Sequence, residues 1–340
     1  MIECIFTLDY ELYGNGTGSL KELVYEPADQ LRRIFLSWNA RFVAFVEVAE
    51  LEKIEAWGTD RAIDLVQLQI RDLHRDEFEI GLHLHPQWCN SRYEQGQWML
   101  DLSEYNLCLL SPSRIAEIVN RSVAYLRYLV GSETFTPLSF RAGNWLFQPT
   151  AAAARILSQN KIRIDSSVYK GGLQHYHSLD FRAALHNGYF WTFSDEVTCP
   201  DPEGALLEVP IYTVMAPFWR LATSKRLGVI GGRAAANKSI QYKLNRAWDM
   251  MRFRYPLKLD FCRMSLTELT SLVDKVILED VSNPAVYRPL VAIGHTKDQC
   301  DLNTVESFLA YLSANRISVS TFEQSQSKLV RQESQALVGQ

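Results

Sequence analysis

The chain's 340 residues are enough to bury a sizeable hydrophobic core, either in one large α/β domain or in two smaller ones. Hydrophobic residues make up 47% of the chain and charged residues 22%, which is ordinary for a globular protein. The formal net charge of −4 gives no argument for a nucleic-acid partner, and none is expected.

The sequence predicts a cytoplasmic location. Its first residues, Met-Ile-Glu-Cys-Ile-Phe, lack the basic region and long apolar run of a signal peptide. No window holds about 18 consecutive apolar residues, so we expect no membrane span. Six scattered cysteines without a C-x-x-C pair argue against a structural zinc site and a disulfide scaffold, and we expect them to be reduced.

Short apolar segments alternate with amphipathic ones along the chain, which predicts strands that alternate with helices. Strands are expected at 2–8, 41–48, 79–85, 137–141, 162–165, 205–211 and 289–293, with a short last strand at 317–322. Helices are expected at 27–38, 60–75, 112–130, 149–159, 265–278 and 301–314. This order indicates a parallel sheet or barrel, whose strands have their carboxyl ends on one rim.

Paired polar side chains stand at the ends of the first and third strands. Asp9 and Glu11 follow the first strand, and His83 and His85 lie on the third. Residues two apart in an extended strand point to the same side, so each pair can converge. Two imidazoles beside carboxylates predict a metal site, and the alternative is a pair of half-buried histidines near an acidic turn.

Three later strands also end in polar residues. Arg141 ends the fourth strand and is followed closely by Asn144 and Trp145, Asp165 ends the fifth, and His295 ends the seventh. Five polar strand ends on one rim predict a catalytic site there, because parallel α/β folds carry their chemistry at that end.

An aromatic loop, 86–111, is expected on the same rim. Trp88 in this loop is a candidate platform for a sugar ring, and ordinary loop packing is the alternative. Residues 1–322 are predicted to form one domain, and the Gln- and Ser-rich tail 323–340 is predicted to be disordered.

A basic insertion is predicted at 215–263. It holds eleven basic residues against two acidic ones in an otherwise acidic chain. This segment is a candidate contact for an anionic ligand, and the alternative is a solvated helical hairpin.

Five short motifs in order along the chain resemble those of the polysaccharide deacetylase family, the NodB-homology carbohydrate esterases. Thr7-Leu8-Asp9-Tyr10-Glu11 resembles the family's T-F-D-D-G, and residues 79–87 resemble its E-I-G followed by H-[ST]-x-x-H. Its later motifs resemble Phe140-Arg141-Ala142-Gly143, Asp165-Ser166-Ser167-Val168 and Ile293-Gly294-His295. The likeness spans residues 1 to 322, with the basic insertion extra.

The resemblance implies a distorted (β/α) barrel of about seven parallel strands and metal-assisted hydrolysis of an acetamide or acetyl ester. It implies Asp9 as the general base, Arg141 as the group that keeps Asp9 ionised, and His295 as the general acid. A divalent metal is implied, and zinc is expected for mixed nitrogen and oxygen ligands. The candidates for substrate binding are Trp88, Asn144, Trp145 and Asp165.

Two positions depart from the family pattern. The family's second aspartate, a metal ligand, falls on Tyr10, and its second histidine falls on Gln87. Strand geometry offers neighbouring replacements, one period-two step away from matched residues. The rebuilt metal site is therefore predicted from three residues: Glu11, His83 and His85. Asp9 serves as base or fourth ligand, and whether His85 or Gln87 completes the site is left open.

The predicted function is the hydrolytic removal of an acetyl group, most simply an N-acetyl group, from a sugar or polysaccharide precursor. Such an enzyme acts on the C–N bond of a linear amide in carbohydrate metabolism. Two alternatives are kept: a degenerate glycan-binding protein that has lost its metal, and another hydrolase of this barrel that cleaves a different amide or a glycosidic bond.

Overall fold

A nine-stranded, mostly parallel sheet organises the fold. The computed structural model describes residues 1–217, 253–298 and 300–338, with side chains as far as Val330. In chain order, the strands of this sheet and of three small ladders are β1 (Ile2–Tyr10), β2 (Val43–Glu47), β3 (Glu79–Leu84), β4 (Arg92–Glu94), β5 (Gln97–Met99), β6 (Ser139–Ala142), β7 (Ile164–Asp165), β8 (Leu173–Gln174), β9 (Leu179–Asp180), β10 (Trp191–Phe193), β11 (Leu206–Glu208), β12 (Thr213–Pro217), β13 (Arg254–Lys258), β14 (Arg288–His295) and β15 (Ser318–Ser320).

Helices connect most of the parallel strands. The α-helices of the described residues are α1 (Glu26–Ser37), α2 (Val48–Trp57), α3 (Ile63–Arg75), α4 (Pro112–Val130), α5 (Ala151–Gln159), α6 (Leu266–Ser282), α7 (Leu302–Ala314) and α8 (Phe322–Val338). None of them is both long and apolar enough to cross a membrane.

The strand order in the sheet is β10-β11-β7-β6-β3-β2-β1-β14, and β15 pairs with the first half of β1. The seven predicted strands β1, β2, β3, β6, β7, β11 and β14 are all parallel, as expected. Beyond β11, Ile211 forms a bridge to Val291 of β14, and Asp260 forms one to Ile293. The sheet therefore curls into a half-barrel, which confirms the predicted barrel-like α/β fold.

The central strand β1 is covered on both faces. Every residue from Glu3 to Tyr10 is buried, which is the usual environment of a parallel strand. The Phe6 ring meets Phe35 of α1, Phe261 and Phe308 of α7, with ring centroids at 5.0, 5.2 and 5.8 Å. Edge contacts of this kind anchor the strand that carries Asp9.

Local signals fix several helix ends where the sequence predicts them. Helix α4 begins after Ser111, whose side chain accepts from Arg114 N, and ends at Gly131 in the left-handed conformation. Helix α6 begins with a capping box, in which the Ser265 side chain accepts from Glu268 N and the Glu268 side chain accepts from Ser265 N. Helix α2 was not predicted, because the apolar run of β2 continues directly into it.

The tail prediction was wrong for the segment that the structure describes. Residues 323–338 belong to α8, and Phe322, Ser325 and Leu329 are buried at helical spacing. Lys328 Nζ lies 2.7 Å from a carboxylate oxygen of Glu3. The polar composition of the tail conceals this narrow buried face.

Most of the predicted basic insertion, 215–263, lies outside the described residues. Its described flanks are β12 and β13, which pair antiparallel with Thr213 opposite Lys258. The described residues on the two sides of 218–252 therefore lie next to each other, with Pro217 opposite Arg254.

Candidate functional site

The ends of five parallel strands bring polar side chains to one level of the rim. The ladders place Asp9 of β1 opposite His295 of β14, and His83 of β3 opposite both Glu47 of β2 and Arg141 of β6. All five side chains are buried. Groups far apart in the sequence therefore meet because the strands are parallel and in register.

Arg141 forms a buried ion pair with Asp9. Its Nη1 donates to Asp9 Oδ1 at 2.6 Å, and its Nε donates to the Ser166 carbonyl at 2.9 Å. Burial alone would raise the pKa of Asp9, but the guanidinium, together with His83 and His295, outweighs burial and lowers that pKa below its ordinary value. Asp9 is therefore an ionised carboxylate that can accept a proton.

His295 lies between two carboxylates. Its Nε2 is 3.4 Å from Asp9 Oδ2, and its Nδ1 is 3.3 Å from Asp298 Oδ2. Arg263 Nε lies 2.7 Å from the same Asp298 oxygen. Burial opposes ionisation of Asp298, but His295 and Arg263 lower its pKa and keep it anionic. Asp298 can thus hold the imidazole with Nε2 turned toward Asp9.

Glu11 joins the two strand histidines. Its Oε2 is 3.1 Å from His85 Nε2 and 3.7 Å from His83 Nε2, and Lys297 Nζ donates to its Oε1 at 2.6 Å. Burial would raise the pKa of Glu11, but Lys297 and the histidines hold it well below the usual range. An anionic oxygen therefore faces both imidazoles.

The proton on His83 is fixed by the backbone. Nδ1 lies 2.8 Å from the carbonyl oxygen of Arg141, which can only accept, so Nδ1 carries the hydrogen. Its buried Nε2 has no hydrogen-bond partner among the residues that the structure describes. Burial lowers the pKa of His83, but the carboxylates of Asp9 and Glu11 outweigh burial and raise it to about 9.

The ring of His85 is positioned by the side-chain amides of Gln87 and Asn144 and packs against Gly143. Its Nδ1 is 3.2 Å from Gln87 Nε2 and 3.2 Å from Asn144 Nδ2. Gln87 Oε1 is buried and has no hydrogen-bond partner among the described residues. A half-turn of the Gln87 amide would place Oε1 against His85 Nδ1 as an acceptor, so that Nδ1 would carry the hydrogen and the lone pair of His85 Nε2 would be available. A Cβ on Gly143 would lie 2.7 Å from the His85 ring and 2.5 Å from Leu84 O, so only glycine fits there.

The three predicted metal residues fit a divalent cation. Glu11, His83 and His85 each offer a ligand atom, and these atoms lie within 4.8 Å of one another. Two imidazole nitrogens and one carboxylate oxygen suit zinc, with a fourth position left for water or substrate. The buried and unpartnered Nε2 of His83 is the atom whose contacts a cation would complete.

Two further carboxyl groups beside the site were missed by the sequence reasoning. Glu47 and Glu50 are buried, and the Oε2 atom of each lacks a hydrogen-bond partner within the described chain. Burial raises the pKa of both groups, and Glu47 adds repulsion at Glu50. Their only signal is the pair of acids in Val-Glu-Val-Ala-Glu, directly after an apolar strand.

Two of the four predicted substrate contacts are misplaced. Trp88 is 1% exposed with its ring against Trp98, and Asp165 is fully buried and accepts from Ser167 Oγ at 2.6 Å. Neither side chain offers a surface to a sugar, because loop packing and strand burial cover them. Asn144 and Trp145 are half-buried beside the site and remain candidates.

A cleft of about 500 Å³ is lined by Leu12, the residue that follows Glu11 in the chain. It is bounded by Leu12, the glycine-rich residues 15–18 and Asp60 on one side, and by Tyr93 and Trp98 of the β4–β5 hairpin on the other. Half-buried aromatic rings beside polar groups are typical of a wall that can bind a sugar.

Solved structures with this architecture are known. A protein described as a polysaccharide deacetylase from Mycobacterium smegmatis is 13% identical and superposes with a TM-score of 0.54, over 97% of this chain and 91% of that one. The chain has the fold of the polysaccharide deacetylases. A second protein so described, from Pseudomonas aeruginosa PAO1, is 13% identical with a TM-score of 0.50, over 95% of this chain and 89% of that one. No protein-family model and no curated protein matches the chain.

Within the deacetylase fold, this chain departs from the family pattern in its candidate metal residues. Tyr10 and Gln87, which fall at two ligand positions of the family pattern, do not face the space between the two strand histidines. Tyr10 donates to Gln69 Oε1 at 2.6 Å, and Gln87 contacts His85 on the Nδ1 side. The three-residue group at Glu11 is the alternative that this geometry favours.

Proposed function

We propose that this protein is a metal-dependent hydrolase that removes an acetyl group, most simply an N-acetyl group, from a sugar or polysaccharide precursor. The supporting observation is that two groups adjoin on one rim. The first is the Asp9–Arg141 pair with His295, the second is Glu11 with His83 and His85, and Glu11 also lies within 4.8 Å of ligand atoms of Asp9 and His295. The deacetylase fold of the chain agrees with this proposal.

Asp9 would be the general base. It is ionised because Arg141 holds its Oδ1, and its Oδ2 lies 3.4 Å from His295 Nε2. A carboxylate with a lowered pKa is a weak base, so the attacking water must itself be made acidic. A divalent metal at Glu11, His83 and His85 would supply that effect and would polarise the acetyl carbonyl.

His295 would be the general acid. Its Nε2 faces Asp9. Asp9 can therefore take a proton from the attacking water, and His295 can give a proton to the leaving amine. Asp298 behind Nδ1 stabilises the charged imidazole and orients it. Arg263 holds Asp298 in turn.

Acetate release tests the proposal. The purified chain, loaded with zinc, is expected to liberate acetate from short N-acetylglucosamine oligomers, and the variant His83→Ala is expected to bind little metal and to liberate none. An active His83→Ala variant, or release of a different product from these substrates, would contradict the proposed chemistry. O-acetylated sugars in a parallel assay decide between amide and ester substrates.

One observation favours a second candidate, a glycan-binding protein without a metal. The Lys297 ammonium lies 2.6 Å from Glu11 Oε1 and could substitute for a cation. That candidate predicts purified protein with no bound divalent ion and no change in metal content in Lys297→Met. The hydrolase proposal instead predicts near-stoichiometric metal, with Glu11 bound to the ion through Oε2.

We also propose a cytoplasmic location. All six cysteines are unpaired, and Cys199 is exposed, as expected in a reducing compartment. Fractionation of the native cells tests this: recovery of the protein with cytoplasmic markers supports it, and recovery with exported proteins contradicts it.

A further inference from the structure

At the edge of the site stands a lysine, Lys258, that forms no ion pair within the described part of the chain. Lys258 ends β13, and the next residue, Leu259, is held from both sides, since its N–H donates to Tyr212 O at 2.8 Å and its carbonyl accepts from Ile293 N at 2.8 Å. Ile293 lies two residues before His295 on β14. The backbone therefore fixes Lys258 close to the end of the strand that carries His295.

The ammonium group of Lys258 lies in a corner of two aromatic rings. Its Nζ is 3.3 Å from the Trp145 ring centroid and 4.7 Å from that of Tyr169. Trp145 follows Asn144, whose amide contacts His85. Asn144 and Trp145 have φ values of 54° and 60°, a left-handed conformation that is unfavourable for residues other than glycine and that is often retained at functional sites.

Lys258 differs from the other cations of the rim. Arg141 lies 2.6 Å from Asp9, Lys297 lies 2.6 Å from Glu11, and Arg263 lies 2.7 Å from Asp298. In residues 1–217, 253–298 and 300–338, no carboxylate or carbonyl oxygen forms a hydrogen bond or ion pair with Lys258 Nζ. A half-buried ammonium has three donors, and aromatic faces satisfy it only in part.

The electrostatic surroundings agree with a site built for an incoming anion. Burial lowers the pKa of Lys258 to about 7, and the attraction of Asp260 and Asp9 does not offset that penalty. A bound anion would supply both the opposite charge and the acceptors that this ammonium lacks among the described residues.

We propose that Lys258, over Trp145 and Tyr169, binds an anionic group on the substrate, so that the acetylated sugar carries a carboxylate or a phosphate. This inference rests on the proposed function for the identity of the substrate, because the lysine adjoins the same site. A uronic acid and a nucleoside diphosphate sugar both offer the required chemistry.

Direct binding tests the inference without catalysis. Calorimetric titrations of the wild-type protein use glucuronate, glucose, inorganic phosphate and UDP-N-acetylglucosamine. Loss of one charge-assisted hydrogen bond in Lys258→Gln is expected to weaken binding of the preferred anion by about tenfold or more, whereas Lys258→Arg keeps most of the binding. Preference for glucuronate indicates a carboxylate, and preference for UDP-N-acetylglucosamine and phosphate indicates a phosphate.

Lys170 provides the matched control. Its ammonium also lies over an aromatic ring, 5.5 Å from the Trp191 centroid, but it donates to the carbonyls of Asn187 and Gly188. Lys170→Gln is expected to bind the anions as the wild type does, with thermal melting used to confirm that all variants are folded. Wild-type protein that binds no anion, or Lys258→Gln that binds as well as wild type, overturns the inference.

Failure of this inference and failure of the proposed function give different results. Acetate release with unchanged anion binding in Lys258→Gln contradicts only the anion site. Anion binding that depends on Lys258, without acetate release from any acetylated sugar, contradicts only the deacetylase proposal.

Discussion

Asp9 depends on its neighbours for its charge. An aspartate this deeply buried would be expected to hold its proton, and the guanidinium of Arg141 at 2.6 Å reverses that expectation. The same arginine offers its backbone carbonyl to His83 Nδ1 and so fixes the tautomer of a proposed metal ligand. One residue thereby prepares both halves of the site.

Replacement of Asp9 by asparagine is expected to remove the base and to leave the metal in place. Loss of a general base typically costs about 10² to 10⁴ in rate, and acetate release should fall by a factor in that range. Metal content, measured by mass spectrometry, should stay near the wild-type value. Asp195→Asn at an exposed position is the control, and normal activity in Asp9→Asn would show that another group accepts the proton.

His85 and Gln87 can be separated by metal affinity. We expect His85→Ala to lose bound zinc, because it removes a ligand atom. Gln87→Ala removes only a contact to Nδ1, and such supporting contacts typically contribute about 10- to 100-fold in affinity. Competition with a chromophoric chelator measures both variants, and a larger loss in Gln87→Ala would place the ligand at Gln87.

The sequence predicted the side chains that strand geometry alone brings together. Asp9, His83, Arg141 and His295 lie on paired strands, so their meeting follows from parallel order and register. Other features depended on tertiary contacts that no local pattern reveals. Trp88 is buried because Trp98, ten residues later, folds over it.

At the level of elements, Glu79 joins β3 to β6 and α8. Its carboxyl accepts from Ser139 Oγ at 2.6 Å and from Glu323 N, in the first turn of α8, at 2.8 Å. Burial raises the pKa of Glu79 from 4.5 to about 7, more than these hydrogen bonds lower it. A raised pKa means that the folded state binds the proton more tightly than the unfolded state does.

The stability contribution of Glu79 is therefore expected to depend on pH. It is fully present below pH 4.5 and is lost as the pH rises through about 7. The unfolding free energy of the wild type, relative to that of Glu79→Gln, should fall by up to about 3 kcal/mol as the pH rises across that window. Urea denaturation at pH 4.5 and pH 8 measures it, with exposed Glu94→Gln as control, and a constant difference would contradict the shift.

Helix α8 is expected to contribute to the stability of the whole domain. Leu329 is fully buried, and a buried Leu→Ala change typically costs about 2 to 5 kcal/mol. Val330, on the same helix, is 53% exposed, and Val330→Ala should cost far less. Chemical denaturation of both variants tests this, and equal small effects would support the disordered tail that the sequence suggested.

Two helices, α8 and α2, were not predicted because the local composition of the sequence indicated something else. The tail from Glu323 is rich in glutamine and serine, and only Phe322, Ser325 and Leu329 supply its buried face. Helix α2 begins at Val48, inside an apolar run that reads as a strand, and Glu47 caps it by accepting from Glu50 N. The side chain of Glu47 therefore caps the helix and also lies at the rim of the sheet.

For the whole molecule, the buried carboxyl groups beside the site are of two kinds. Asp9 is paired with Arg141 and Glu11 with Lys297, whereas Glu47 and Glu50 form no ion pair with a lysine or arginine in the described part of the chain. Burial is the main cause of the raised pKa values of these two glutamates. A divalent ion at Glu11, His83 and His85 would add positive charge beside them and would favour their ionised forms.

Metal is therefore expected to stabilise the folded protein. A ligand at one hundred times its dissociation constant contributes about 2.7 kcal/mol, so zinc should raise the melting temperature and a chelator should lower it. The triple variant Glu11→Gln, His83→Ala and His85→Ala is the control and should not respond. A wild-type melting temperature that is indifferent to zinc and to chelator would contradict a metal in the fold.

The most direct measurement is a crystal structure of the untagged protein with anomalous data collected on both sides of the zinc absorption edge. We predict one strong anomalous peak between Glu11 Oε2, His83 Nε2 and His85 Nε2, with Gln87 turned to accept from His85 Nδ1. An absent peak with Lys297 still bound to Glu11, in protein soaked with zinc, would contradict the account.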